Sequence, residues 1–332
     1  MEIARERTYT NGGYLRSVDE KRRRTKMLRG NGKGEIGIVG LGKMGSNIAT
    51  RLLGKGYRVV VHNRSDGPAD RLKRVGAIKA GTVSDLVLAM DSPRTIWVML
   101  PPGEVTIKIV GEIATHCANG DTIIDGSNSY YKDSICLYKR LLGMGIDYMD
   151  AGCSGGPSGA LNGMSIMLGG KIEAFKRNEK LFKDLSVKGG YMHVGEAGAG
   201  HFAKMVHNAI EYGMMQSIAE GMELATRGPY KSINPGMLAK LWNNGSVIRG
   251  YLIGIAADIL LEDPKLSGTS SYVDDTGYGR QAVKEAVDLG VPLSAIAESL
   301  FYRFDSQDKK RFGKRLLAAL RHGFGGHEIR KR

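Results

Sequence analysis

The chain has 332 residues, 42% hydrophobic and 25% charged, a globular composition whose length suggests two domains. No apolar run approaches the roughly 18 residues that span a bilayer, and the start has no apolar signal segment, so neither a membrane span nor secretion is expected. The net charge of +14 is divided unevenly: residues 1–34 contribute +6 and residues 303–332 contribute +7, leaving +1 for residues 35–302. A neutral body with basic ends, and no nucleic-acid-binding motif, gives no reason to expect a specific nucleic-acid partner.

Residues 1–34 lack hydrophobic periodicity and read as a disordered basic tail. The basic C-terminal stretch is interleaved with Phe, Leu and Gly and is expected to fold. Cys117, Cys136 and Cys153 show no metal-ligand spacing. Scattered thiols suit a reducing cytoplasm, and no metal site is expected.

A Rossmann-type α/β domain is predicted over 35–197. It opens with a short apolar strand, the turn Gly40-Leu41-Gly42-Lys43-Met44-Gly45, an apolar-periodic helix and a second strand. In this spacing the first two glycines allow a tight turn and close approach of a pyrophosphate, and the third allows helix–strand packing. An acid at the end of the second strand would accept from the ribose 2′-hydroxyl of NAD. This chain has Asn63-Arg64-Ser65 there, and arginine suits a 2′-phosphate, so the cofactor is read as NADP.

Further strands are predicted at Thr95–Leu100, Thr122–Asp125 and Asp147–Asp150. Ligands of open parallel sheets bind at the carboxyl ends of strands. That places Met99, Leu100 and Pro101 beside the cofactor, and Asn128 and Ser154-Gly155-Gly156 at the same edge.

From residue 198 an all-α domain is predicted, to 332, with helices around 201–226, 234–244, 248–262, 279–289, 292–305 and 308–321. In the first helix Lys204, His207, Asn208 and Glu211 fall at i, i+3, i+4 and i+7 and share one face. Phe202, Met205, Val206, Ala209, Ile210 and Met214 occupy the others. A narrow polar stripe on an apolar helix must meet a cleft, a ligand or polar partners. A lysine and a carboxylate there can serve as proton acceptor and donor, or form an internal ion pair.

The stretch GAGHFAKMVHNAIEYGMMQ closely resembles the catalytic helix of decarboxylating 6-phosphogluconate dehydrogenases. GLGKMG, DGSNS, CSGGPSGA and MSIMLGG resemble the wider β-hydroxyacid dehydrogenase group, while VDLGVPLSAI and RHGFGGH resemble the short-chain phosphogluconate enzymes. The resemblance covers about residues 35–327. It implies oxidation and decarboxylation of 6-phosphogluconate to ribulose 5-phosphate and carbon dioxide, with reduction of NADP, in the pentose phosphate pathway of the cytoplasm. Lys204 would be the general base and Glu211 the acid that protonates C1. Asn128, Ser154, Gly155, Gly156, His207 and Asn208 would hold the carboxylate and hydroxyls, and Tyr212 and Arg303 the phosphate. Arg321 and His327 match residues that reach the phosphate from a neighbouring subunit, which implies a homodimer or homotetramer.

The chain departs from the family at Pro157-Ser158, where long forms have acids, and in the phosphate loop. There Tyr278, Gln281 and Ala282 depart from the usual pattern, Gln281 and Ala282 standing in place of a tryptophan and a threonine. The alternatives are a related NAD(P)-dependent β-hydroxyacid dehydrogenase for another small or phosphorylated acid, and a non-catalytic dinucleotide-binding regulator.

Overall fold

A computed structural model describes residues 34–330. The expectation of a disordered tail lies outside the described residues except at Gly34. By internal contacts the chain divides into two units, the break falling after Lys204.

The first unit is built on one eight-stranded sheet of order β3-β2-β1-β4-β5-β6-β7-β8. Its strands are β1 (Glu35–Val39), β2 (Arg58–His62), β3 (Ile78–Lys79), β4 (Thr95–Val98), β5 (Thr122–Asp125), β6 (Asp147–Ser154), β7 (Met164–Gly170) and β8 (Ser186–Gly195). The helices between them are α1 (Lys43–Gly54), α2 (Asp66–Arg74), α3 (Val83–Leu88), α4 (Glu104–His116), α5 (Tyr131–Leu142), α6 (Gly156–Asn162) and α7 (Ile172–Leu185). Successive strand residues serve opposite cores. Ile36, Ile38, Trp97, Ile124 and Met149 belong to one cluster, and Ile96, Val98, Ile123 and Tyr148 to the other. Strands apolar on both faces are those of a sheet covered by helices on both sides. Each such side chain, fully buried, contributes about 1.5–3 kcal/mol.

The doubly wound sheet predicted from the sequence is present, with one departure from a purely parallel order. β6 and β7 pair antiparallel, Cys153 opposite Ile166. The reason is local. A parallel return needs a crossover of about a dozen residues or more, and the seven-residue α6 is too short for one. Two boundaries also differ. β4 ends at Val98, before the prolines, and β6 continues past Asp150 to Ser154 because Cys153 and Ser154 pair with β7.

The second unit is helical: the remainder of α8 (Ala199–Arg227), then α9 (Pro235–Asn243), α10 (Tyr251–Glu262), α11 (Tyr278–Leu289), α12 (Ser294–Gln307) and α13 (Phe312–Gly325). Met222, Ala239, Ile253, Ala257 and Leu260 form its core cluster. The two largest shifts of a helix start, each later than the periodicity predicts, are at α10 and α13. α10 begins after Gly250, whose backbone is extended beyond any helical value. α13 begins after Arg311, which lies at φ +47°, while Asp308 Oδ1 accepts from the N–H groups of Lys310 and Arg311 and closes a turn there. On α8 the apolar flank Val206, Ile210 and Met214 is exposed.

Candidate active site

The glycine turn has the geometry that its spacing requires. Gly40 lies at φ +94°, and a Cβ added to it would meet the Met99 carbonyl oxygen at 2.3 Å. A Cβ on Gly45 would meet the Gly40 oxygen at 2.0 Å. Gly42, by contrast, has open space where a Cβ would stand, at the N-terminus of α1. A tight turn with an open N–H-rich face at a helix start suits a pyrophosphate. Lys43 is exposed, Met44 half-buried and Leu41 buried.

The Asn63 side chain is fixed by the backbone around it. Its Oδ1 accepts from the Leu41 N–H at 2.9 Å, and its Nδ2 donates to Ser65 O and Oγ, both at 3.0 Å. It ties the end of β2 to the glycine turn, leaving Arg64, which is exposed, to project from that edge. On the neighbouring strand the Leu100 N–H donates to Ser127 Oγ at 3.1 Å, which sets Met99 and Leu100 beside the turn; Pro101 is exposed.

Behind this edge is a buried polar network that the sequence reading missed. Asp125, fully buried, accepts from the Ser127 N–H, the Ser129 hydroxyl and the Tyr148 hydroxyl. Burial, reinforced by Asp125 and Asp150, pushes the Tyr148 phenol well above its ordinary value, so it stays protonated as the donor. The network shapes the loop that ends in Asn128, a non-glycine residue at φ +55°. The Asn128 side chain compensates that conformation. Its Oδ1 accepts from the Cys153 N–H at 2.8 Å and its Nδ2 donates to the Cys153 carbonyl at 3.3 Å.

Lys204 is reached from the same strand. Asp150, fully buried on β6, accepts from the N–H groups of Gly198 at 2.7 Å and His201 at 2.8 Å, satisfying orphan donors at the start of α8. Glycines let the helix settle on the sheet. A Cβ on Gly200 would stand 2.5 Å from the carbonyl oxygens of Asp150 and Met167. One on Gly152 would stand 2.6 Å from both Gly200 O and Lys204 Cβ. Lys204 is therefore held over Gly152 and is only 6% exposed. Burial pushes the adjacent Cys153 thiol up to about 12, although the Lys204 charge draws it down, so the thiol is no nucleophile. Ser154 is half-buried. Gly155 and Gly156 are exposed with φ of +119° and +58°, which glycine alone adopts easily.

In the second unit α8 continues the stripe. His207 Nδ1 lies 3.2 Å from Asn208 Oδ1 and 3.7 Å from Glu211 Oε2, and Asn208 is buried. The Tyr212 hydroxyl shares a 2.5 Å hydrogen bond with Thr276 Oγ1, and the Arg303 guanidinium lies 3.7 Å over the Tyr212 ring. Arg303 also donates to the Asp274 carbonyl, and Ser306 and Gln307 bond Val273, so α12 straps the 273–278 loop. Burial beside Tyr212 raises the Tyr278 phenol. Arg280 is bonded to Asp275 and stacked on Phe304, and Ala282 is buried. Arg321 and His327 are exposed, on α13 and just beyond it.

The profile of the NAD binding domain of 6-phosphogluconate dehydrogenase matches residues 35–195, and that of the 6-phosphogluconate dehydrogenase C-terminal domain matches residues 200–330. The chain belongs to the 6-phosphogluconate dehydrogenase family. It is 39% identical over 298 residues to a homologue from Bacillus subtilis (strain 168), YqeC, covering 90% of this chain and 100% of the relative. It is 35% identical over 300 residues to the NAD(+)-dependent, decarboxylating 6-phosphogluconate dehydrogenase of Haloferax volcanii, covering 90% and 99%. Among solved structures, Plasmodium falciparum 6-phosphogluconate dehydrogenase, described in apo form and with NADP+ or 6-phosphogluconate, superposes with a TM-score of 0.76 at 26% identity. The match covers 90% of this chain and 66% of that one. The chain is thus an oxidoreductase of the family with an NAD(P)-binding Rossmann domain. Among the described residues no helix is long and apolar enough to cross a membrane.

Proposed function

We propose that this chain oxidatively decarboxylates 6-phosphogluconate to ribulose 5-phosphate and carbon dioxide, in the cytoplasm, with NADP. The observation that carries the reading is a buried Lys204 held against Gly152, with Glu211 two turns further along the same helix, roughly 10–11 Å by helical rise.

NADP fits the residues present: the Gly42 face admits a pyrophosphate, Arg64 suits a 2′-phosphate, and Met99, Leu100, Pro101 and Asn128 lie at the strand edge beside the turn. When bound, it supplies the ring that accepts hydride from substrate C3. Lys204 takes the proton of the C3 hydroxyl, and the product is a 3-keto acid. A carboxylate β to a ketone loses carbon dioxide as its electrons move into the carbonyl. Protonated Lys204 hydrogen-bonds that oxygen while charge develops on it. Glu211 then protonates C1 of the enediol. Ser154, Gly155, Gly156, Asn128, His207 and Asn208 hold the carboxylate and hydroxyls. Tyr212 and Arg303 hold the phosphate, with Arg321 and His327 of a neighbouring subunit in a homodimer or homotetramer. The exposed flank Val206, Ile210 and Met214 supports such an assembly.

A second reading, a β-hydroxyacid dehydrogenase for another acid, is favoured by the phosphate loop. Arg280 is engaged by Asp275, and Gln281 and Ala282 offer no replacement for the hydroxyl of a threonine. Cofactor reduction measured over a panel of sugar acids and their phosphates, with carbon dioxide trapped, separates the two. The first reading requires 6-phosphogluconate to be preferred and one carbon dioxide to be released per cofactor reduced. Reduction without carbon dioxide, or preference for an unphosphorylated acid, selects the second.

The cofactor reading has its own test. Arg64→Ala is expected to weaken NADP far more than NAD. A guanidinium–phosphate contact is worth about 1.5–3 kcal/mol, so selectivity should fall by about one to two decades. Wild-type protein that uses NAD more efficiently than NADP contradicts this reading of the β2 end.

A further inference from the structure

Resting on the reading of Arg64 as the 2′-phosphate ligand, we propose that Lys79 determines cofactor specificity by masking two acids. Lys79 is on β3, opposite Val61 of β2, at the carboxyl end of the strand pair. Its Nζ lies 2.7 Å from Asp66 Oδ1 and 2.8 Å from Asp70 Oδ1. These are the two carboxylates nearest Arg64 in sequence. Asp66 begins α2, one residue after the Asn63-Arg64-Ser65 edge, and is 80% exposed. Asp70 follows one turn later and is half exposed.

The consequence follows from charge. Lys79 is the cation that Asp66 and Asp70 share in direct contact, while Lys73 and Arg74 on α2 also act on Asp70; removing Lys79 makes the neighbourhood of Arg64 more negative by one charge. A carboxylate at the end of β2 has two effects on the choice of dinucleotide. It repels a 2′-phosphate, and it can accept from a ribose 2′-hydroxyl, which favours the dephospho form. It also competes with the phosphate for Arg64. Lys79 draws both acids toward β3 by two charge-assisted hydrogen bonds, leaving the Arg64 guanidinium to the ligand. Lys79 acts through Asp66 and Asp70 and needs no contact with the phosphate. The masked pair is visible only in the fold, because Lys79 is thirteen residues from Asp66 in sequence.

The test is binding calorimetry on the full chain with 2′,5′-ADP and 5′-AMP, a pair that differs only by the 2′-phosphate and needs no turnover. Lys79→Met is expected to weaken 2′,5′-ADP about three- to tenfold at low ionic strength, less as salt screens the site, while 5′-AMP binds as before or more tightly. Adding Asp66→Asn and Asp70→Asn to Lys79→Met is expected to restore 2′,5′-ADP binding. Equal weakening of both nucleotides, or of neither, overturns the proposal. Failure of the triple variant to recover also overturns it, since Lys79 would then bind the phosphate directly. Arg64→Ala separates this from the reading beneath it. If Arg64→Ala removes the preference for 2′,5′-ADP and Lys79→Met does not, only the masking role fails. If wild-type protein shows no preference, both fail.

Discussion

Lys204→Met is expected to abolish hydride transfer while leaving the fold and NADP binding intact. Methionine fills the volume over Gly152 but cannot take the hydroxyl proton. Glu211→Gln keeps its size and loses the acid, so it should leave oxidation and decarboxylation running and stall the protonation of C1. General acid–base groups contribute about 10²–10⁴-fold, and both losses should reach or exceed that range. The opposing possibility is that the polar stripe is only structural. Removing a buried charge's partner would then cost about 3–5 kcal/mol of stability, and activity would follow the folded fraction. Thermal melts together with single-turnover kinetics decide it. Stable, inactive variants support catalysis, whereas unstable variants with normal turnover per folded molecule refute it.

Gly152→Ala should be nearly as damaging without touching an ionisable group. The added methyl would stand 2.6 Å from Gly200 O and from Lys204 Cβ, one of them backbone, so α8 must lift from β6. Overpacking of this kind costs about 1–3 kcal/mol. A displacement of the base near 1 Å can cost about 10²-fold in rate. The expectation is therefore a kcat reduced by about two decades in a protein that still melts cooperatively and binds NADP. Gly54→Ala is the control, since a Cβ there meets nothing within 4 Å; it should leave turnover unchanged. A Gly152→Ala enzyme with wild-type kcat would show that the close seat of Lys204 on the strand is not required.

Much of the fold is legible in the sequence because its signals are local. The glycine turn, the apolar runs of β1, β4 and β5 and the periodicity of the later helices each depend on neighbouring residues. The antiparallel β7 is not, because its direction depends on the length of α6 rather than on its own composition. The site divides in the same way. Lys204 and Glu211 share a helix face that spacing alone reveals. Asp150 and Gly152 act on a helix some fifty residues later, a relation only the packing of α8 on β6 exposes. The DYMDAGC run gives no hint that its last carboxylate accepts two helix N–H groups. Asn63 is a further case. Its place at the end of β2 is legible, whereas the bonds of its amide to Leu41 and Ser65 are not.

The two rims of the sheet carry a consequence for how copies of the chain can meet. A long strand with unpaired backbone groups invites another strand to extend the sheet. β3 is two residues long and ends in the ion-paired Lys79, too short a template for addition. β8 is longer, but its pairing with β7 slips register twice, and it presents Lys188 ahead of two glycines. Both rims thus discourage sheet-to-sheet growth, the open-ended route to aggregates. The proposed homo-oligomer would then rest on exposed apolar helix flanks such as Val206, Ile210 and Met214, and a closed assembly of that kind stops growing.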